Sequence, residues 1–249
     1  MKRWRQYIAA AALCVLCGPA LAQGLDHEHQ YEACLALTYR DPDAALEAAD
    51  SWAAQGGGPA ARHCAAMAHI EARRYARAAA LLEELAAALP PDGEPTPDQV
   101  LAQAANAWLL AEEPQRALAA IGAALQGAPA SAGLLIDRAR ILADLGRYAD
   151  ALDDLDAAAG EAPEDDDLAA FRAAALRHLG EVEAALEEAE RAVMLNAQNP
   201  SAWLERALAR LQSGNTAGAR SELAETAARF AGTPAADAAE RQLRALGPE

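Results

Sequence analysis

Lysine is almost missing from this sequence, because Lys2 is the only one among 249 residues. Aromatic residues make up 4% of the chain, and the formal net charge at pH 7 is −16. A surface this acidic repels nucleic acid and anionic lipid headgroups, so we expect neither as a partner. The shortage of aromatic residues also disfavours β-strands. What the chain has in abundance is alanine, 72 residues in all, and small side chains suit closely packed helices.

Catalytic and metal-binding patterns are also missing. No serine, histidine and acid set lies in a nucleophile-elbow context, and no glycine-rich phosphate loop follows a strand pattern. The histidines at 27, 29, 63 and 69 could form a metal site or an enzyme centre. Their spacing matches no defined site, so we interpret them as solvated surface residues. The acidic run 161–167 lacks calcium-loop spacing and is interpreted as the start of a helix. We therefore predict no enzyme activity, no metal and no cofactor.

The first 22 residues predict a secretory signal peptide. Lys2, Arg3 and Arg5 precede an apolar run over residues 7–17, which Ala20-Leu21-Ala22 follows. A basic start, a short apolar core and a small-x-small site are typical of a signal that is cleaved, here after Ala22. We predict a periplasmic or secreted protein without membrane insertion. The alternative is a lipid anchor on Cys14 or Cys17, but neither cysteine follows a small residue.

A 34-residue period organises the rest of the chain. Gly146, Gly180 and Gly214 are 34 residues apart, and each has an alanine seven residues before it and another five after it. The same alanine pair occurs three more times towards the N-terminus, so six copies are predicted. The pairs are Ala33/Ala45, Ala66/Ala78, Ala105/Ala117, Ala139/Ala151, Ala173/Ala185 and Ala207/Ala219.

Prolines and glycines predict where helices begin and end within each copy. Pro42 and Pro114 lie three residues before the second alanine, where a second helix starts and a missing N–H costs nothing. Prolines 90, 129 and 163 lie twelve residues after that alanine, where the second helix should end. The glycines mark the end of the first helix. Each copy is therefore predicted to be helix, tight turn, helix, with the paired alanines where the two helices cross.

This pattern resembles the tetratricopeptide repeat, which has small residues at its eighth and twentieth positions and a large apolar residue at its twenty-fourth. The resemblance implies an all-α fold, a right-handed α-solenoid of about six helix–turn–helix repeats with a C-terminal capping helix. After the signal peptide at 1–22, degenerate repeats occupy 23–92 (26–58 and 59–92), and a proline-rich insertion occupies 93–97. Four regular repeats fill 98–233 (98–131, 132–165, 166–199 and 200–233), and the capping helix and tail occupy 234–249. The insertion is interpreted as a surface loop, with a hinge as the alternative.

The resemblance also implies a binding groove lined by the first helix of each repeat. The partner would be a protein or peptide, with contacts concentrated around Asn106, Arg140, Phe171 and His178. One alternative is a structural subunit of an envelope assembly or secretion complex. The implied groove residues are Gln103, Asn106, Leu110, Asp137, Arg140, Asp144, Phe171, Arg177, His178, Leu204, Glu205 and Gln212.

A disulfide between Cys34 and Cys64 follows from the same resemblance. The two cysteines remain after signal cleavage and fall on the first helices of neighbouring copies, and such helices pack side by side in this family. An oxidising compartment would let the bond form. Two buried free thiols are the alternative.

Overall fold

The computed structural model describes residues 27–247, which form thirteen α-helices and no strand. The predicted signal peptide and its cleavage site lie outside the described residues. Within residues 27–247, no helix is both long and apolar enough to cross a bilayer. The helices are α1 His27–Thr38, α2 Pro42–Ala54, α3 Gly58–Glu71, α4 Tyr75–Ala88, α5 Pro97–Leu110, α6 Pro114–Gly127, α7 Ala132–Asp144, α8 Tyr148–Ala159, α9 Asp166–Leu179, α10 Val182–Leu195, α11 Pro200–Gln212, α12 Thr216–Arg229 and α13 Pro234–Leu246.

The first twelve helices form six antiparallel pairs that stack into a solenoid. Each odd-numbered helix packs against its even-numbered partner, and each even-numbered helix packs against the odd-numbered helix that follows it. The odd-numbered helices also contact one another directly from α5 to α13, and α1 contacts α3 in the same way. This confirms the all-α solenoid. The last helix, α13, packs on α11 and α12 and covers the end of the array, as a capping helix does.

The paired alanines lie where the helices cross, with one exception. Eleven of the twelve are at most 2% exposed, because a side chain larger than a methyl group would push the two helices apart. The exception is Ala33, which is exposed. The expected crossing contact is therefore wrong for the first pair, where the neighbouring Cys34 is buried instead. The residues at the twenty-fourth positions are all buried: Ala49, Leu82, Ile121, Leu155, Ala189 and Leu223.

Helix termini follow the local sequence signals. Gly146, Gly180 and Gly214 have φ angles of 71°, 86° and 89° at the ends of first helices, a conformation that favours glycine. Pro42 and Pro114 begin α2 and α6. The predicted start of α9 is also confirmed, because the Asp165 carboxylate accepts a hydrogen bond of 2.9 Å from the Leu168 N–H. The predicted insertion at 93–97 contains the first residue of α5, Pro97.

An ion-pair ladder runs through the last three helix pairs. Arginine occupies the same position in α7, α9 and α11, and an acidic residue faces it from α8, α10 and α12. Arg138 holds Asp154 through two hydrogen bonds of 2.6 and 2.5 Å. The Asp154 and Glu222 side chains are only 9% and 4% exposed. Because a buried carboxylate is costly without a cation, each pair stabilises the register of its two helices. The three pairs are Arg138–Asp154, Arg172–Glu188 and Arg206–Glu222.

Cys34 and Cys64, which are 30 positions apart in sequence, are joined by a disulfide with their Cα atoms 6.2 Å apart. The bond ties α1 to α3. The disulfide closes the loop between positions 34 and 64. For a loop of this length, the chain-entropy estimate gives a stabilisation of about 3 to 4 kcal/mol. We expect no thiol labelling at 34 and 64 when the unreduced protein is denatured, and labelling of both after reduction. Two reactive thiols before reduction would contradict this prediction.

Candidate functional site

One pocket brings together several of the groove residues predicted from the sequence. It has a volume of about 190 Å³ and lies between α7, α8 and α9, with one wall contributed by α11. We call it the α7–α11 pocket. Its polar and aromatic lining residues are Arg140, Asp144, Tyr148, Phe171, Arg177, His178 and Glu205, and its floor consists of Ala139, Ala143, Ala151, Leu155, Ala174 and Ala175.

Small residues on the floor create the space. Ala139 and Ala151 are the crossing alanines of the α7/α8 pair, and Ala143 and Ala174 lie on the facing helices α7 and α9. Methyl side chains leave room that leucine or phenylalanine would fill. The floor is therefore apolar, while charged groups lie at the rim, and this arrangement is typical of sites that bury an apolar group and fix its orientation with a few polar contacts.

The two arginines that line the pocket, Arg140 and Arg177, differ in their exposure and in the strength of their ion pairs. Arg177 donates a hydrogen bond of 2.8 Å from Nε to Glu205, and both side chains are less than 20% exposed, so this pair connects α9 to α11. Arg140 makes a longer contact of 3.2 Å with Asp137, and 44% of its side chain is exposed. An exposed pair three residues apart on one helix contributes little to stability. Arg140 can therefore exchange Asp137 for a carboxylate of a partner at small cost.

Aromatic rings close the two sides of the pocket. The His178 and Tyr148 rings stack with their centroids 4.0 Å apart and their planes parallel. Burial and the nearby Arg177 guanidinium lower the pKa of His178, which favours the neutral imidazole in the stack. Phe171 lies opposite, half-buried against the main hydrophobic core, with the Arg140 guanidinium 5.9 Å from its ring centroid.

Six of the twelve predicted groove residues thus line one pocket, and a seventh, Asp137, pairs with Arg140. Burial raises the pKa of Asp137, although Arg140 opposes the shift. The others lie elsewhere: Asn106 is half-buried on α5, Leu110 is 54% exposed at the end of that helix, Leu204 packs against a small core formed with α12 and α13, and Gln212 is exposed at the end of α11. Gln103 is engaged in a separate polar contact described below.

Tyr148 is a pocket residue that the sequence analysis did not single out. It is the first residue of α8 and follows Gly146 and Arg147 in the turn of the fourth repeat. Its ring stacks on His178 near the end of α9. This contact joins two repeats, so the local sequence around Tyr148 does not reveal it.

The fold of this chain is similar to that of several solved structures. MamA from Desulfovibrio magneticus RS-1 superposes with a TM-score of 0.57 at 18% identity, covering 68% of this chain and 93% of that one. YrrB, described as a tetratricopeptide-repeat protein with an unusual peptide-binding site, superposes with a TM-score of 0.55 at 17% identity. This match covers 71% of this chain and 90% of YrrB. No protein-family model matches this chain, and no curated sequence matches it either.

Together with the six stacked pairs, these superpositions decide the fold. The chain has a tetratricopeptide-repeat fold. At these identities the likeness extends to the fold alone, and the chemistry of the site depends on the residues of this chain.

His63 corrects one expectation from the sequence. Interpreted there as solvated, it is 7% exposed in the structure and lies in a polar relay that connects α1, α3 and α5. Its Nε2 is 2.7 Å from Gln103 Oε1, and its Nδ1 is 2.7 Å from the Tyr31 hydroxyl. Because the Gln103 oxygen can only accept, Nε2 carries the proton and Nδ1 accepts from Tyr31. Among residues 27–247, no three histidine, cysteine or acidic side chains are grouped as metal ligands.

Because His63 is buried and hydrogen-bonded to Tyr31 and Gln103, we expect acid to destabilise the N-terminal repeats. Burial lowers the pKa of His63 below the usual 6.5, and the hydrogen bond to Gln103 opposes only part of this shift. The unfolded chain therefore binds a proton at higher pH than the folded chain. The stability that neutral His63 contributes is fully present above about pH 6.5. It is lost as the pH falls from there through the pKa of His63 in the folded protein. We expect the thermal midpoint to fall over that range, and His63→Gln to reduce the slope. Equal slopes in both proteins would show that His63 does not titrate on unfolding.

Proposed function

We propose that this protein is a binding scaffold that holds a segment of a partner protein in the α7–α11 pocket. The observation that carries the proposal is the pocket itself, with its apolar floor, an exchangeable arginine and an aromatic wall on each side. Stacked repeats suit this role because they build a long rigid surface that grips a peptide without chemistry. The peptide-binding site named for YrrB supports the same class of function for this fold.

The size and polarity of the pocket define the segment that it would hold. A volume of about 190 Å³ is smaller than the pockets of roughly 300 to 1,000 Å³ that enclose whole small-molecule ligands. It suits one large apolar side chain projecting from a peptide. Arg140 at the rim would then bind a carboxylate of the same segment, either an acidic side chain or the chain terminus, through two hydrogen bonds.

Arg177 and Glu205 would have a supporting role. Their mutual hydrogen bond holds the α9 and α11 walls at a fixed separation, and the Tyr148–His178 stack fixes the end of α9 against the start of α8. A pocket whose walls are already in place loses less conformational entropy when a peptide binds.

Site-specific photocrosslinking in cells tests the proposal. A photoreactive residue at Asp144, on the pocket rim, should attach to a discrete partner, whereas the same residue at Ala157, exposed on α8, should not. Lysine-directed reagents are unsuitable, because Lys2 lies in the predicted signal peptide. Attachment from position 157 and none from position 144 would assign binding to the opposite surface and contradict the proposal.

We also propose that the scaffold works outside the cytoplasm, in the periplasm or in the medium. Two independent features support this location: the signal-like pattern of residues 1–22 and the disulfide between Cys34 and Cys64, which persists in oxidising compartments. The predicted mature protein starts at Gln23. N-terminal sequencing of the purified protein tests this expectation, and an intact Met1 or a lipid on Cys17 would contradict it.

A further inference from the structure

An exposed cluster of arginines lies at the turn between α3 and α4, in a chain whose formal net charge is −16. We call the open cleft that it lines the Arg73 cleft, and its volume is about 330 Å³. The cleft lies at the second and third helix pairs, whereas the α7–α11 pocket lies at the fourth to sixth. Three arginines, one tyrosine and two alanines line it: Arg73, Arg74, Arg77, Tyr75, Ala76 and Ala111.

The turn between α7 and α8 has the same backbone as the turn between α3 and α4. Gly146 and Arg73 occupy equivalent positions, with φ angles of 71° and 56°. Arg147 and Arg74 follow them, and each N–H donates a hydrogen bond of 2.8 Å to the carbonyl five residues before it. The sequence from this position is Gly-Arg-Tyr-Ala-Asp in the fourth pair and Arg-Arg-Tyr-Ala-Arg in the second. The same backbone therefore carries one arginine in the fourth pair and three in the second.

The two additional arginines do not stabilise this turn. Arg73 has a left-handed φ of 56°, which glycine adopts more easily than a residue with a Cβ atom. Arg77 lies in the first turn of α4, where the positive end of the helix dipole disfavours a cation. Its equivalent in the fourth pair, Asp150, forms an ion pair with Arg147 instead. Local features that oppose stability are often found where a protein binds a ligand, and three guanidinium groups would bind an anion.

Acidic side chains of the same chain leave the cluster largely available. Arg74 pairs with Asp43 at 2.8 Å, but 47% and 73% of these two side chains are exposed. Such a surface pair contributes little to stability, so a carboxylate of a partner can replace Asp43 at small cost. Within residues 27–247, Arg73 and Arg77 form no ion pair, although Glu112 lies in the turn that follows α5.

The charge and the dimensions of the Arg73 cleft favour a short acidic segment. Each guanidinium can hold a carboxylate through two hydrogen bonds. A nucleic acid or a bilayer would also meet the wide acidic surface of the protein, whereas a short segment interacts mainly within a Debye length of about 8 Å. The volume of about 330 Å³ lies in the range of roughly 300 to 1,000 Å³ that holds whole small-molecule ligands, so one small anion would not fill the cleft.

We propose that the Arg73 cleft binds an acidic segment of a partner protein, whose carboxylates are held by Arg73, Arg74 and Arg77. The proposal does not depend on the α7–α11 pocket, because the two sites share no residue. A partner held at both sites would lie along the array, with its acidic segment at the second and third helix pairs.

Two-dimensional NMR of the mature protein tests the proposal at the cleft itself, through the backbone amide resonances of residues 73–77. The probe is the capped peptide acetyl-Ala-Glu-Asp-Glu-Asp-Ala-amide, whose carboxylates all belong to side chains. The controls are the neutral peptide acetyl-Ala-Gln-Asn-Gln-Asn-Ala-amide and inorganic phosphate. We expect the acidic peptide to shift these resonances in a saturable manner, and both controls to bind at least about tenfold more weakly.

A double variant that gives the second turn the sequence of the fourth removes the cluster and keeps the backbone. Arg73→Gly, Arg77→Asp should weaken binding of the acidic peptide at least about tenfold. Its thermal midpoint should equal or exceed that of the parent, because glycine accepts this φ and an acidic residue is favourable at a helix start. The matched control is Arg241→Asp, Arg244→Ala on the exposed side of α13, which lowers the net charge equally and should bind as the parent does.

Four outcomes would overturn the proposal. The resonances of residues 73–77 would stay unmoved at the solubility limit of the acidic peptide, or the double variant would bind it with parent-like affinity. Equal affinities for the acidic peptide and either control would show that the cleft does not select an acidic segment. An equal loss of binding in the α13 control variant would show that net charge, and not the arginine cluster, governs the interaction.

Discussion

Replacing Arg138 with alanine is expected to lower the free energy of unfolding by about 3 kcal/mol, because Asp154 would remain buried without a cation. Both hydrogen bonds to Asp154 come from this one guanidinium, and the Asp154 side chain is 9% exposed. For a chain of this size, the loss corresponds to a fall of about 6 to 12 °C in the thermal midpoint. Thermal unfolding followed by circular dichroism measures it.

Arg147→Ala is the matched control in the same repeat. Arg147 pairs with Asp150 across three residues, with both side chains about half exposed, so its removal should cost less than about 1 kcal/mol. The double variant Arg138→Met, Asp154→Leu should recover most of the stability, because a well-packed apolar pair can replace a buried ion pair. If Arg138→Ala alone has the same thermal midpoint as the parent protein, the ion-pair ladder does not stabilise this repeat.

Replacing Arg140 with alanine is expected to weaken partner binding at least about tenfold while leaving the thermal midpoint nearly unchanged. The first effect follows from the loss of charge-assisted hydrogen bonds to the partner, worth roughly 1.5 kcal/mol or more. The second follows because Arg140 is 44% exposed and its pair with Asp137 is a surface contact. Titration of each variant against the partner recovered by photocrosslinking measures the first effect.

Arg147→Ala controls for loss of charge in this experiment too, since both arginines pair with an aspartate three residues away on an exposed surface. Of these two arginines, Arg140 lines the α7–α11 pocket and Arg147 does not. Equal affinities for Arg140→Ala and the parent protein would rule out a role of this arginine in recognition.

The regular part of the fold was predictable because each landmark is a local backbone or packing requirement. A left-handed residue at a turn favours glycine, as at Gly146, Gly180 and Gly214. A close helix crossing requires a small residue, and it is indicated by six alanine pairs whose two members are always twelve residues apart. The first pair departs from this rule because the anchoring of α1 to α3 involves partners distant in sequence, such as Tyr31 with His63.

The site was predictable in part. Arg140, Phe171 and His178 meet in one pocket because they lie on first helices that the solenoid stacks side by side. One feature was missed although the sequence carried it. Arg138, Arg172 and Arg206 recur every 34 residues with an acidic residue 16 positions later, which is the spacing of the ladder. The burial of His63 could not be derived, because it depends on how α1, α3 and α5 are placed relative to one another.

The most direct test of the pocket as the working surface is the affinity of the recovered partner for a variant in which the space is filled. Ala174→Leu adds apolar volume to the floor of the α7–α11 pocket, and Ala157→Leu makes the same change at an exposed position on α8. Isothermal titration of both variants against the partner should show binding lost in Ala174→Leu and unchanged in Ala157→Leu, with both proteins still helical. Parent-like affinity in Ala174→Leu would contradict the account, because a filled pocket cannot hold the side chain on which recognition is proposed to depend.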